Sequence, residues 1–377
     1  LGASPARVFW DVTAPAILPG VASGAALAFI YSFMSFPIVL ALGGARYSTL
    51  EVEIYTQVRV LLDYETGAAL AAIQAAISLV FARLFLRLEG SEARIPGAGV
   101  PRPVKPLFAF RPRAVIEGAF LVAAGVLFLG PVLAVVADSL SGPEGVSLSG
   151  YRRIFALQHD ARLETGPLAS ILTSLRIGAW ASLIATGTGL LFVLGLLRIK
   201  GRWRALLETL GMAPMVVSSV ALGYGVILAA RHWPLAALES DWRIVCIHSV
   251  LAFPLVVRAC RPAFDSLDPR LVEAARTLGS SRFAAFLRVE LPLSATALLV
   301  ALALAFGLSL SEMSATMMLA RPGLITMPVS VYRFLSARDF QGASAMAVVL
   351  IAAAATLFAG IEFVGGRLWR KSGGRSV

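Results

Sequence analysis

The chain has 377 residues, 58% of them hydrophobic and only 15% charged, with a net charge of +11 and a mean hydropathy of +0.80. A soluble domain could not cover that much apolar side chain with polar surface, so the water-soluble globular classes are excluded. Nor is the charge a nucleic-acid face: segments 83–113, 198–204, 258–290 and 367–377 hold 21 of the Lys and Arg, whereas 43–66, 137–165, 231–241 and 320–340 hold 9. Basic residues collect on the cytoplasmic side of membrane proteins, so the first set is expected inside and the second outside.

Taken in order, apolar runs predict membrane helices at 17–42 and 67–86. The Pro-, Gly- and Arg-rich stretch RLEGSEARIPGAGVPRPVKPLFAFRPR (87–113) then has the composition of a cytoplasmic linker. Further spans follow at 114–136, 168–197, 211–230, 242–258, 295–319 and 343–364, each near the roughly 20 residues a helix needs to cross hydrocarbon. The expected fold is an all-α polytopic membrane protein with about eight transmembrane helices. Its domains are a two-helix piece over 1–86, the linker, and a six-helix unit over 114–377. An even number of crossings puts the basic linker and the tail RLWRKSGGRSV on one side, the cytoplasmic one. Cys246 and Cys260 lack metal-type spacing and are expected to be reduced packing residues, and His159, His232 and His248 are scattered; no metal site is expected.

A repeat underlies this organisation. A shift of 277 residues lays Leu1 on Leu278, Gly2 on Gly279, Ser4 on Ser281, Phe9 on Phe286, Val12 on Val289 and Pro15 on Pro292. The same register carries Ala26-Leu27-Ala28-Phe29 onto Ala303-Leu304-Ala305-Phe306, Ser32 onto Ser309, Thr49 onto Thr326 and Tyr55 onto Tyr332. Shared hydrophobicity can align Ala and Leu, but not also the Gly, Phe and Pro of a polar loop. The chain therefore reads as one complete unit preceded by the back end of a similar one. Since it opens at Leu1 inside such a loop, a start further upstream is expected.

In the second copy the loop reads DPRLVEAARTLGSSRFAAFLRVELP (268–292). Asp268-Pro269 is a helix start, apolar residues recur at three- and four-residue spacing, and Gly279 ends the helix before a second short amphipathic segment. A bare interfacial helix would show the same amphipathicity, but would not explain the recurrence of glycine and proline at the same places. The spacing of Glu273-Ala274-Ala275, Gly279, Val289, Leu291 and Pro292 resembles the EAA motif of binding-protein-dependent ABC importer permeases. With the partial repeat in front, the chain is similar to the fused double permeases of ferric-iron and thiamine transporters, on FMSFPIVLALGGARYSTLEVEIYTQ (33–57) among other stretches.

The resemblance implies that this loop couples the permease to a cytoplasmic ABC ATPase dimer. Glu273 would meet the ATPase, Ala274 and Ala275 would permit close approach, and Gly279 would supply the turn. The front copy keeps Gly2, Val12 and Pro15 but has Ala14 in place of the leucine, and its EAA part lies upstream of Leu1. The chain has no GxxxxGK[ST] phosphate loop, so ATP and Mg are expected on the partner subunit, with no cofactor and no catalytic residue in this chain. Other implied partners are a periplasmic or lipid-anchored solute-binding protein and membrane lipid, in a bacterial inner membrane with the C-terminus cytoplasmic. The expected cargo is a small solute, ferric iron or thiamine.

Candidate path residues are Ser309, Ser311, Glu312, Ser314 and Thr316, which interrupt an apolar run. An acid there is costly unless it serves a purpose. The plainer alternatives are a hydrated Glu312 or one paired with Arg176 or Arg321, with the hydroxyls bonding helix carbonyls. The competing function is an ion-driven secondary transporter, which commonly carries several mid-membrane acids or histidines.

Overall fold

Hydrophobic length sets most of the architecture. In the computed structural model, which describes residues 2–44, 46–92, 112–142, 145–156, 159–215, 217–232 and 235–371, five helices are long and apolar enough to cross a membrane: Tyr64–Phe81, Glu117–Ser139, Pro167–Leu196, Ser240–Asp265 and Phe340–Gly365. Three pairs of shorter helices reach that length only together, bent by 48°, 99° and 71°, which gives up to eight crossings. The protein is an all-α polytopic membrane protein.

The front segment contains α1 (Ala14–Phe33), α2 (Phe36–Leu42), α3 (Leu50–Tyr55) and α4 (Tyr64–Glu92). Thr49 starts α3 by accepting a hydrogen bond from the Val52 N–H at 3.5 Å. Of the linker expected at 87–113, residues 93–111 lie outside the described residues, and α4 itself continues to Glu92. The following segment holds α5 (Pro112–Ser139), α6 (Pro167–Leu196), α7 (Arg202–Met212), α8 (Ser219–Ala229), α9 (Ser240–Asp265) and α10 (Pro269–Thr277). It ends with α11 (Ala295–Ser311), α12 (Ser314–Leu319), α13 (Met327–Ser336) and α14 (Phe340–Lys371).

The single span expected at 211–230 is corrected. It divides between α7 and the eleven-residue α8, with a 99° bend between them. Pro214 lies in the turn after α7, where a missing N–H weakens helix continuation, and the Ser218 hydroxyl caps the new helix by accepting from Ala221 N–H at 3.4 Å. The stretches expected at 17–42 and 295–319 are interrupted too, at Met34-Ser35 and at Glu312-Met313.

These interruptions fall in the register of the repeat. Shifted by 277, the α1–α2 break meets the α11–α12 break, and Leu50 at the start of α3 meets Met327 at the start of α13. The same five-residue π-helical turn occurs at Phe9–Thr13 and at Phe286–Glu290.

Among the described residues there are three apolar cores, of which the two larger hold most of the bundle. Small residues of α6, α9 and α11 (Ala185, Ala252, Ala301 and Ala305) pack with Val193 and Val256, the close approach that suits helices in lipid. Glycine is required at one such crossing: a Cβ on Gly189 would stand 2.5 Å from Val256 Cγ1. The second core unites both segments, with Phe36, Ile54 and Val58 of the front packed with Tyr224, Leu310, Met318 and Phe334. On the flank, α5 is tied to α14 by Ser344 Oγ donating to Asp138 Oδ2 at 2.6 Å, while Phe120 and Phe128 stay exposed as a lipid-facing surface.

Candidate functional site

The loop after α9 is built from local rules. Asp268 accepts from Arg270 N–H at 2.9 Å and Pro269 occupies the first turn, so α10 starts there. Glu273 and Ala274 are exposed on it and Ala275 is half-buried. The helix closes in a Schellman turn: Gly279 N–H donates to Arg276 O at 3.0 Å, Ser280 N–H donates to Ala275 O at 3.1 Å, and Gly279 has φ +88°. A Cβ there would meet nothing within 4 Å; the left-handed backbone, not space, calls for glycine.

Ser281 then caps Arg282–Ala285 by accepting from Ala284 N–H at 3.2 Å. The π-helical turn brings Val289, Leu291 and Pro292 to the foot of α11. Leu278 and Phe283 are 88% and 70% exposed, an apolar surface of the kind a partner covers. In the front copy Gly2 repeats the left-handed turn at φ +72°, and Val12 and Pro15 are likewise exposed.

The five path candidates do not act alike. Ser309 and Thr316 flank the α11–α12 break and are joined by His248, whose Nδ1 lies 2.7 Å from Ser309 Oγ and whose Nε2 lies 2.9 Å from Thr316 Oγ1. His248 is fully buried on α9. In the sequence it is one of three scattered histidines, and no spacing rule links it to partners 61 and 68 positions away. Ser311 is exposed and bonds the Gly307 and Leu308 carbonyls, and Ser314 is buried in α12.

Glu312 accepts from Ala315 N–H at 2.9 Å, so its carboxylate sits at the start of α12. Arg176 pairs with Asp241 instead of Glu312. A second acid, Glu51 of α3, lies fully buried near Glu312 and takes a 3.1 Å hydrogen bond from Gln74 Nε2. Nothing in the sequence separates Glu51 from its neighbour Glu53. Cys246 and Cys260 are free thiols, and among the described residues no group of three or more His, Cys, Asp or Glu could hold a metal ion.

Residues 1–91 and 185–368 match the family described as the binding-protein-dependent transport system inner membrane component. The chain belongs to this family. It is an ABC importer permease, a multi-pass inner-membrane component whose relatives are transport proteins rather than enzymes. The permease is similar to a Salmonella typhimurium protein named for 2-aminoethylphosphonate transport, at 29% identity over 248 residues, covering 65% of this chain and 92% of that protein. The molybdenum transport permease of Escherichia coli K12 is 31% identical over 200 residues, covering 49% of this chain and 87% of its own.

A thiamine transport permease of Brucella abortus is 27% identical over 345 residues, which cover 88% of this chain and 58% of that one. Among solved structures, the permease resembles a chain of a bacterial alginate-importing ABC transporter, with a TM-score of 0.54 and 16% identity over 68% of this chain and 96% of that chain. That likeness speaks to the fold alone.

Proposed function

We propose that this permease is the membrane part of an ATP-driven importer of a thiamine-type solute. The observation that carries the solute is the extent of the thiamine-permease match, which runs over 88% of the chain. The phosphonate and molybdenum relatives align over 65% and 49%. Ferric iron is the other cargo suggested by the fused arrangement.

In this reading the exposed loop 268–292 rests on a separate ATPase, which holds ATP and Mg. Glu273 faces that partner, the two alanines allow close approach, and Leu278 and Phe283 supply the apolar contact. The loop and the C-terminus are cytoplasmic, and closure of an ATPase dimer switches the permease between inward-open and outward-open states. An external solute-binding protein delivers the cargo; the alginate importer has been solved with its own periplasmic protein. The residues around the α11–α12 break line the path, with Glu312 and Glu51 suited to a solute that carries positive charge.

Reconstitution with the cognate ATPase and binding protein tests this. Labelled thiamine is expected to enter proteoliposomes with ATP and not with an ion gradient alone. Uptake driven by the gradient would favour the secondary-transporter reading. For the loop, Glu273→Ala and Gly279→Pro are expected to abolish stimulation of ATP hydrolysis while the complex still inserts.

A further inference from the structure

We propose that four arginines at the junction of the two segments form a binding site for a tetrahedral oxyanion, a phosphonate or phosphate monoester group carried on a small solute. This rests on the reading of the chain as a solute permease, but not on thiamine itself being the cargo.

The segments read as external contain few basic residues, 9 in all. Several are neutralised where they stand: Arg153 and Arg162 both bond Asp339, and Arg333 pairs with Glu164. Arg59, Arg231 and Arg321 instead converge with Arg243 around one cavity of about 260 Å³. They come from four places in the chain: the turn before α4, the end of α8, the start of α9 and the loop after α12. No Asp or Glu is among the described residues that line the cavity. Of the two acids flanking Ser240, Asp241 is engaged by Arg176 and Glu239 is exposed just before α9.

Three of the four guanidiniums are held in place by the fold. Arg59 Nη2 donates to the Ala320 carbonyl at 2.7 Å, so the front segment reaches across to the following one. Arg231 lies 5.2 Å from the centre of the Tyr64 ring. Arg243 Nη2 donates to the Ala236 carbonyl at 3.3 Å. Ser240, the first residue of the 26-residue α9, also lines the cavity, which places the positive end of a long helix there.

Like charges collected against an apolar floor that includes Met318 repel one another. An oxyanion turns that repulsion into attraction. The guanidinium fork suits phosphoryl and phosphonyl oxygens, which can take paired N–H donors. The cavity has room for several water-sized groups, enough for such a head group with a short substituent. Because Arg59 belongs to the front segment and the other three to the following one, a bound anion would draw the two segments together at the mouth of the path.

The test uses the whole chain in lipid nanodiscs and methylphosphonate as the probe, with binding followed by phosphorus NMR. Wild type is expected to bind and to melt at higher temperature as the probe is added. Arg59→Gln combined with Arg321→Gln is expected to weaken binding about tenfold or more, since each removes a charge-assisted contact. Arg46→Gln, an exposed change away from the cavity, is expected to leave binding unaltered.

Wild-type binding no tighter than that of the double variant would overturn the site. So would variants that still bind methylphosphonate but lose association with the binding protein, since the arginines would then serve that protein's acidic surface. Arg59→Lys guards against misfolding: it keeps the charge, and intermediate affinity supports the proposal. Methylphosphonate binding without any thiamine uptake would retire thiamine as cargo while supporting the anion site.

Discussion

Where the chain leaves helical geometry between α11 and α12, His248 bonds the hydroxyls on both sides of the break, at 2.7 and 2.9 Å. Replacing it by Leu takes that partner from the buried Ser309 hydroxyl, while Thr316 keeps its 3.1 Å bond to the Glu312 carbonyl, so His248→Leu is expected to cost about 1–3 kcal/mol in thermal melting, with His248→Gln recovering part of the loss. Glu312 gives a different expectation, because its carboxylate accepts from Ala315 N–H at 2.9 Å. Glu312→Gln keeps an acceptor and is expected to fold as wild type, whereas Glu312→Leu loses about 1 kcal/mol. Chemical denaturation of the two variants side by side would show the difference. Ser309, Glu312 and Thr316 were visible in the sequence because polar atoms in an apolar run are costly. His248 and Glu51 were not, since their partners lie on other helices and only packing brings them together.

At the scale of elements, glycines separate two kinds of constraint. Gly279→Ala meets no neighbour but must hold a left-handed backbone, so about 1 kcal/mol of local loop stability is expected to go, seen as faster amide exchange over 276–281. Gly189→Ala keeps good helical geometry but forces a methyl group against Val256 where α6 crosses α9. The expected cost is about 1–3 kcal/mol, read as a lower melting temperature of the whole bundle. The turn at Gly279 was legible because its flanking signals, Asp-Pro before and Ser after, act within a few residues. The sharp bend before α8 was not read, because apolar length registers no direction. Its cues, Pro214 and Ser218, were present in the sequence and were overridden by the hydrophobic run.

Across the whole molecule, the front and following segments are joined by more than the stretch between them. Phe36, Ile54 and Val58 are buried in the shared core, Arg59 bonds Ala320, and Tyr224 Oη donates to the Tyr64 carbonyl at 2.7 Å. Cutting the chain by a protease site placed within 93–111 is therefore expected to leave two pieces that co-purify in mild detergent. The repeat was legible because a register of 277 residues preserves glycine and proline as well as apolar character. The junction was not, because the two copies carry different residues there: Ser35 stands where Glu312 does, and Pro328 where Glu51 does. That difference bears on assembly. Two identical front segments would bring together two copies of Arg59 and none of Arg231, Arg243 or Arg321. Carrying both unlike partners on one polypeptide fixes their stoichiometry at synthesis and leaves no pool of free halves to pair wrongly.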